Sequence, residues 1–123
     1  MNFANNQAIY LQIAEEICSY ILLKKWAQEE RIPSIRELSV QLEVNPNTIL
    51  RSFDTLQNEG IIYNKRGIGY FVSADGMEKA KIYLKQKFTD EDMPQFFKRM
   101  NLLSIPFNEL ETYYKKFINK NKN

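Results

Sequence analysis

Two short amphipathic segments joined by a tight polar turn constrain the fold of this chain more than any other feature. The first segment, SIRELSVQL, covers residues 34–42, and the second, ILRSFDTLQNEG, covers residues 49–60. Leu38 and Leu42 share one face of the first segment, as the helical period requires. The intervening VNPNT leaves room only for a tight turn, so the sequence predicts two successive helices.

The ends of these two helices are marked by capping residues. Ser34 and Glu37 have the S-x-x-E spacing of a capping box, which predicts a helix over residues 35–42. Asn45 suits the N-cap of the next helix, and Pro46 suits its first position, where the missing N–H costs nothing.

The stretch before these segments predicts another amphipathic helix, over residues 8–24. Ile13, Ile17 and Ile21 recur there at four-residue steps, which places them on one helical face. Cys18 is the only cysteine and lies among these apolar residues, so we expect a buried thiol and no intrachain disulfide.

The stretch IIYNKRGIGYFVS predicts a β-hairpin. Two β-prone runs, Ile61–Tyr63 and Tyr70–Ser73, flank a polar turn, Asn64–Gly69, that contains glycine. Gly60, just before them, suits the left-handed residue past a helix end. The order helix, helix, turn, helix, hairpin is that of a winged helix-turn-helix domain, mainly α with a small β-hairpin, which we expect over residues 1–75.

Residues 76–123 carry only helical patterns, and the second of three apolar stripes can begin near Asp92 with Pro94 in its first turn. Three short helices are marginal alone, so their apolar faces need cover from the first domain or from a second chain. In a homodimer, the contacts would come from apolar side chains of this region: Met77, Leu84, Phe88, Phe96, Phe97, Met100, Leu110, Tyr114 and Phe117.

The third helix presents a polar face at its N-terminal end. At about 100° per residue, Asn47, Thr48 and Arg51 point away from the apolar face. The N-terminal end of a recognition helix reaches base edges in the DNA major groove, where arginine pairs with guanine and asparagine with adenine. The alternative is that Thr48 only bonds the backbone and Arg51 is only solvated.

Three further cationic side chains are predicted to lie where they can contact DNA. Lys65 and Arg66 lie at the hairpin tip, where a cationic turn suits contact with a phosphate backbone or a minor groove. Arg36 begins the helix that crosses the backbone in helix-turn-helix docking. The alternatives are an ordinary solvated turn for the tip and a surface ion pair for Arg36.

Composition argues against an enzyme. The chain has no histidine, which removes Ser-His and Cys-His nucleophile pairs, histidine bases and histidine metal ligands. We therefore expect neither a cofactor nor a metal. Neither a leader nor a run of about 18 apolar residues is present, so we expect a cytoplasmic protein that has no membrane partner.

Net charge does not locate a binding surface. The net charge is +2. Residues 31–75 hold five basic and five acidic groups, whereas residues 76–123 hold ten and six. Bulk charge would therefore point to the helical half and away from the predicted DNA-binding half.

Over about 65 residues, the motifs PSIREL, VNPNT, LQNEG and RGIGYFV resemble, in order and spacing, the DNA-binding domain of GntR transcription regulators. The short helical end resembles the YtrA-like branch, whose appendage serves chiefly in dimerisation. The resemblance implies DNA contacts from the helices and from the hairpin, made by Arg36, Asn47, Thr48, Arg51, Lys65, Arg66 and Gly67. Many relatives have glycines and a proline before PS, where this chain has Lys24, Gln28 and Glu29.

The leading hypothesis is a homodimeric, sequence-specific transcription regulator, a repressor, that binds an inverted-repeat operator in double-stranded DNA. Whether a small-molecule effector exists stays open. The runner-up is a winged-helix module that binds another protein and does not read DNA. An enzyme is a third and disfavoured class.

Overall fold

The computed structural model describes residues 7–122, which form a mainly helical chain with one antiparallel hairpin, as predicted. A π-helical turn, Phe88–Asp92, connects the fourth and fifth helices. The elements in chain order are α1 Ile9–Leu22, α2 Ile35–Leu42, α3 Pro46–Asn58, β1 Ile62–Lys65, β2 Gly69–Val72, α4 Gly76–Lys87, α5 Met93–Leu102 and α6 Phe107–Lys120. The chain divides into two compact units, the first ending at Lys85 and the second beginning at Gln86.

The core of the first unit is built from the apolar faces that the sequence predicts. Buried apolar side chains come from all three leading helices and from the hairpin: Ile13, Ile17, Ile21, Leu38, Ile49, Phe53, Leu56, Ile61, Ile62 and Val72. Cys18 is buried among them, as expected. The rings of Phe53 and Tyr70 meet edge to face at 4.7 Å, which ties α3 to β2.

Both predicted helix caps are confirmed. The Ser34 hydroxyl accepts from the Glu37 N–H, while the Glu37 carboxylate accepts from the Ser34 N–H, both at 3.0 Å. Asn45 Oδ1 accepts from the Asn47 N–H at 2.8 Å, with Pro46 at the first helical position. These bonds satisfy donors that would otherwise be left without partners at the helix starts.

The hairpin extends closer to its tip than the sequence indicated. Its ladder runs from Ile62↔Val72 to Lys65↔Gly69, and the Ile68 N–H closes the turn on the Lys65 carbonyl at 2.9 Å. Gly67 and Gly69 have φ values of +80° and +142°, which the tight closure needs and which other residues rarely adopt.

The loop between α1 and α2 adds a third strand-like segment to the hairpin. Ile32 N–H donates to the Tyr70 carbonyl, and Val72 N–H donates to the Glu30 carbonyl, at 2.9 and 3.0 Å. Lys24 and Glu29 take left-handed φ values of 62° and 63° in this loop. Two non-glycine residues of this loop therefore adopt a backbone that favours glycine, and the turn after Leu22 ends α1 earlier than expected.

The start of α4 belongs to the first unit, although the sequence placed the boundary between residues 75 and 76. Gly76 and Ala80 are buried, and Met77 and Leu84 are partly buried against the core. Two residues predicted for dimerisation, Met77 and Leu84, thus have contacts within their own chain.

The second unit is made of the end of α4, the π-helical turn, α5 and α6. Among its described residues, 86–122, none is buried in the single chain. The aromatic side chains of α5 and α6 are largely exposed to solvent: Phe96, Phe97, Phe107, Tyr113, Tyr114 and Phe117.

Candidate nucleic-acid interface

The N-terminal end of α3 carries the three polar residues that the sequence predicts for base contact. Asn47 and Arg51 are exposed and Thr48 is half-buried, while Ile49 and Phe53 face the core. Since the Asn45 side chain is engaged in the cap, it fixes where the helix starts and therefore which residues follow on the outer face. We refer to Asn47, Thr48 and Arg51 as the recognition face.

Arg51 has an aromatic neighbour that sequence reasoning missed. Its guanidinium carbon lies over the ring of Tyr10, 4.1 Å from the ring centroid. A hydrogen bond also joins α1, which carries Tyr10, to α3, which carries Arg51. In it, the buried Ser52 hydroxyl of α3 donates to the Tyr10 carbonyl at 2.7 Å. A tyrosine at the start of an amphipathic helix gives no signal by itself, so only the α1–α3 packing reveals this contact.

The predicted cations of the first unit are not engaged by acidic side chains. Within residues 7–122, no carboxylate forms an ion pair with Arg36, Arg51, Lys65 or Arg66. The alternative of a surface pair for Arg36 therefore finds no support in the described part of the chain. A cation without a carboxylate partner keeps its N–H groups available for phosphate or base oxygens.

The wing, residues 62–72, has a rigid aromatic base and an exposed cationic tip. Tyr63 and Phe71 stack across the ladder with centroids 5.7 Å apart, and Lys65 Nζ lies 5.0 Å from the Phe71 ring centroid. Arg66 and Gly67 are exposed at the turn.

Tyr63 also ties the wing to the α1–α2 loop. Its hydroxyl donates to Glu29 Oε2 at 2.7 Å. This hydrogen bond, more than desolvation, raises the pKa of Tyr63 above its ordinary value. The bond therefore persists at neutral pH with the hydroxyl protonated.

Arg31 is a second candidate that sequence reasoning missed. Its side chain lies against Gly69 of the wing, because a Cβ atom built on this glycine would lie 2.8 Å from Arg31 Nε. The Arg31 backbone forms a bridge with Phe71, which sets this placement. Because the bridge joins residues far apart in sequence, no local pattern could have indicated it.

The recognition face and the wing are carried by elements that touch. Helix α3 packs on β1, α1 and α2 within the first unit. The domain is thus a helix-turn-helix followed by a hairpin, the arrangement in which a recognition helix and a wing contact one duplex.

The family model described as "Bacterial regulatory proteins, gntR family" matches residues 9–72, from the start of α1 to the end of β2. The chain belongs to the GntR family. It is therefore a DNA-binding winged helix-turn-helix transcription regulator, and the family and its relatives are regulators and not enzymes.

The similarity to other GntR proteins extends beyond the matched domain. The HTH-type transcriptional repressor YtrA of Bacillus subtilis is 29% identical over 110 residues, covering 87% of this chain and 82% of YtrA. A GntR family transcriptional regulator from Listeria monocytogenes has a solved structure that is 30% identical, with a TM-score of 0.75 over 93% of this chain and 98% of that one. The predicted YtrA-like relationship is thus confirmed.

Solved structures of the AraR DNA-binding domain contain operator DNA. The AraR DNA-binding domain in complex with operator ORR3 is 30% identical, with a TM-score of 0.51, and covers 59% of this chain and 92% of that one. The similarity is confined to a little over half of this GntR chain.

The residues predicted for dimerisation fall into two groups in the structure. Met77 and Leu84 pack against the first unit's core, whereas the others lie in the second unit. Phe96, Met100 and Leu110 line an apolar groove of about 600 Å³ between α5 and α6, beside Leu103 and Tyr113.

Neither a metal cluster nor a membrane span is found in the described part of this GntR protein. Across residues 7–122, no three His, Cys, Asp or Glu side chains are grouped so that they could hold a metal ion. In the same residues, every helix is too short or too polar to cross a bilayer.

Proposed function

We propose that this protein represses transcription in the cytoplasm as a homodimer that binds an inverted-repeat operator. The observation that carries the proposal is the exposed recognition face, whose Asn47 and Arg51 lie at the N-terminal end of α3 with no carboxylate paired to Arg51 in the described residues. The repressor name of YtrA and the operator bound to the AraR domain support the same role.

Each contact has a distinct part in this proposal. Arg51 and Asn47 read base edges in the major groove, since each side chain can form two hydrogen bonds to one base. Arg36 binds a phosphate from α2, and Lys65, Arg66 and Gly67 bind the backbone or the minor groove from the wing. Thr48 bonds a base or a phosphate beside them.

The dimer is proposed from the second unit. Its described residues include exposed Phe88, Phe97 and Phe117, and a unit without a fully buried core in one chain gains stability when a second copy covers it. Met100, Leu110 and Tyr114 extend the same apolar surface. Two-fold symmetry then places two recognition helices on half-sites about one helical turn of DNA apart, or a multiple of it.

Selection from random duplexes at physiological salt tests the proposal. We expect the wild-type protein to recover a palindromic site. A stable dimer that enriches no sequence would overturn the DNA-reading function and would favour a winged-helix module that binds protein.

Two substitutions separate base reading from phosphate binding on the selected site. Arg51→Ala should weaken binding by about 1–3 kcal/mol and relax specificity at one base position. Lys65→Ala is the control. It should weaken binding to all DNA sequences alike, and it should lower by about one the slope of log affinity against log salt concentration. A folded Arg51→Ala protein that still selects the same site as tightly would exclude Arg51 from base reading.

A further inference from the structure

Tyr10 lies directly beneath the side chain that the proposed function assigns to base reading. The Arg51 guanidinium carbon is 4.1 Å from the centroid of the Tyr10 ring, within the range at which an arginine is attracted to an aromatic face. We infer that Tyr10 is a positioning residue, which holds Arg51 in the conformation that reads a base and so contributes to operator specificity. The inference deepens the proposed function and rests on it.

The backbone of Tyr10 is held in place by the packing of α1 on α3. Ser52, next to Arg51 on α3, is fully buried, and its hydroxyl donates to the Tyr10 carbonyl at 2.7 Å. Ile13 and Ile49 are fully buried in the core that these two helices share. Tyr10 is therefore attached to the same rigid frame as the recognition face.

A stacked arginine keeps the atoms that DNA needs. The ring occupies the flat face of the guanidinium, whereas the N–H donors lie in its plane and point outward. No carboxylate in residues 7–122 pairs with Arg51, so its donors are not drawn toward an acidic side chain. Stacking thus restricts the side chain without using the groups that pair with guanine.

The restriction matters because arginine is a flexible side chain. Binding must otherwise immobilise several rotatable bonds, which opposes association. A ring that orders Arg51 before DNA arrives lowers this entropic penalty for the correct base. The wrong base gains nothing, since its edge does not match the ordered donors.

A double-mutant cycle on the selected operator tests the inference. Tyr10→Leu should weaken operator binding by about two- to fivefold, as expected for an exposed cation–π contact, and should reduce discrimination at the base read by Arg51. In the Arg51→Ala background, the same Tyr10→Leu change should have no further effect, because Tyr10 acts through Arg51. Tyr10→Phe keeps the aromatic face and should bind like wild type.

A readout without DNA accompanies the cycle. In NMR spectra of the free protein, the side-chain protons of Arg51 should be shifted upfield by the Tyr10 ring. The shift should persist in Tyr10→Phe and disappear in Tyr10→Leu. Unshifted Arg51 protons in the wild-type protein would overturn the inference.

Tyr20→Leu is the matched control for stability. Tyr20 lies at the other end of α1, with its ring centroid 4.9 Å from Lys25 Nζ and 5.1 Å from the Trp26 ring. The control should lower stability through lost aromatic contact while leaving operator affinity and specificity unchanged.

Two further outcomes would overturn the positioning role alone. If Tyr10→Phe binds as weakly as Tyr10→Leu, the hydroxyl contacts DNA itself. If Tyr10→Leu weakens the Arg51→Ala protein as much as the wild type, Tyr10 does not act through Arg51. Failure of the wild-type protein to select any site is a separate result, which would overturn the proposed function and this inference with it.

Discussion

Gly76 occupies the tightest position at the junction between the hairpin and α4. A Cβ built on it would lie 2.6 Å from the Ile61 carbonyl oxygen and 2.8 Å from Val72 Cγ1. Backbone atoms cannot move aside as a flexible side chain can. The glycine therefore allows the close approach of α4 to Ile61 and Val72.

Gly76→Ala tests this close approach. The change should destabilise the protein by about 1–3 kcal/mol, because the added methyl forces the backbone apart, even though alanine favours helices more than glycine does. Urea unfolding would measure the effect. Lys81→Ala, an exposed change on α4, should alter stability by less than about 0.5 kcal/mol. An equally or more stable Gly76→Ala protein would contradict the proposed clash.

Lys24 stores backbone strain at the end of α1. Its φ of 62° lies in the left-handed region, which costs a non-glycine residue roughly 1–2 kcal/mol. Glycine would adopt this conformation without the steric cost of a Cβ atom.

Lys24→Gly should therefore stabilise the protein. The net gain should be about 0.5–1 kcal/mol, since relief of strain exceeds the entropy that glycine adds to the unfolded chain. Thermal or urea unfolding measures it. Lys25→Gly is the control, because its φ is not positive, and it should destabilise. Loss of stability in Lys24→Gly would show that this conformation carries no strain.

At the scale of the element, α2 is defined by its capping box. The Ser34 backbone N–H donates to the Glu37 carboxylate, and this bond is the main reason that the pKa of Glu37 is lowered in the folded state. A carboxyl group with a lowered folded pKa stabilises the fold above its unfolded pKa. That contribution is lost as the pH falls through the folded pKa.

The stability difference between wild type and Glu37→Gln should therefore depend on pH. The wild-type advantage should be greatest near neutral pH and should shrink as the pH falls below the ordinary carboxyl range. Urea unfolding across this interval measures the difference. For comparison, Ser34→Ala should lower the free energy of unfolding by about 1 kcal/mol near neutral pH, because the hydroxyl that caps α2 is missing. A difference independent of pH would exclude the carboxylate from the cap.

At the scale of the whole molecule, the two units differ in how they use apolar side chains. The first unit has a continuous buried core. In the second unit, residues 86–122 are only partly buried or exposed in the single chain. Apolar surface of this extent is typical of a protein interface, so the proposed dimer gives the second unit a physical role.

Phe117→Ser should weaken the dimer without unfolding the first unit. Phe117 is 61% exposed in the single chain, and loss of a buried aromatic side chain at an interface costs about 2 kcal/mol or more. Light scattering after size exclusion should show monomers of the variant at concentrations where the wild-type protein is a dimer. Operator affinity should fall because the two recognition helices no longer bind together.

Leu23→Ser is the matched control for the dimer. Leu23 is 66% exposed in the first unit, so its loss should change neither assembly nor operator affinity. A wild-type protein that stays monomeric at micromolar concentration would contradict the dimer.

The sequence determined the elements whose signals are local. The capping box at Ser34, the Asn45-Pro46 helix start and the glycines at the hairpin tip each act within a few residues, so their outcomes could be predicted. The recognition face followed from them, because a fixed helix start sets which residues point outward. The motifs also fixed the family.

The tertiary structure decided the contacts between residues far apart in the chain. Three such contacts depend on how whole elements pack. They are the stacking of Tyr10 under Arg51, the contact of Arg31 with Gly69, and the close approach of Gly76 to Ile61. Periodicity shows which face of a helix is apolar, but not which element covers it. For the same reason, the start of α4 could not be assigned to the first unit until its packing was known.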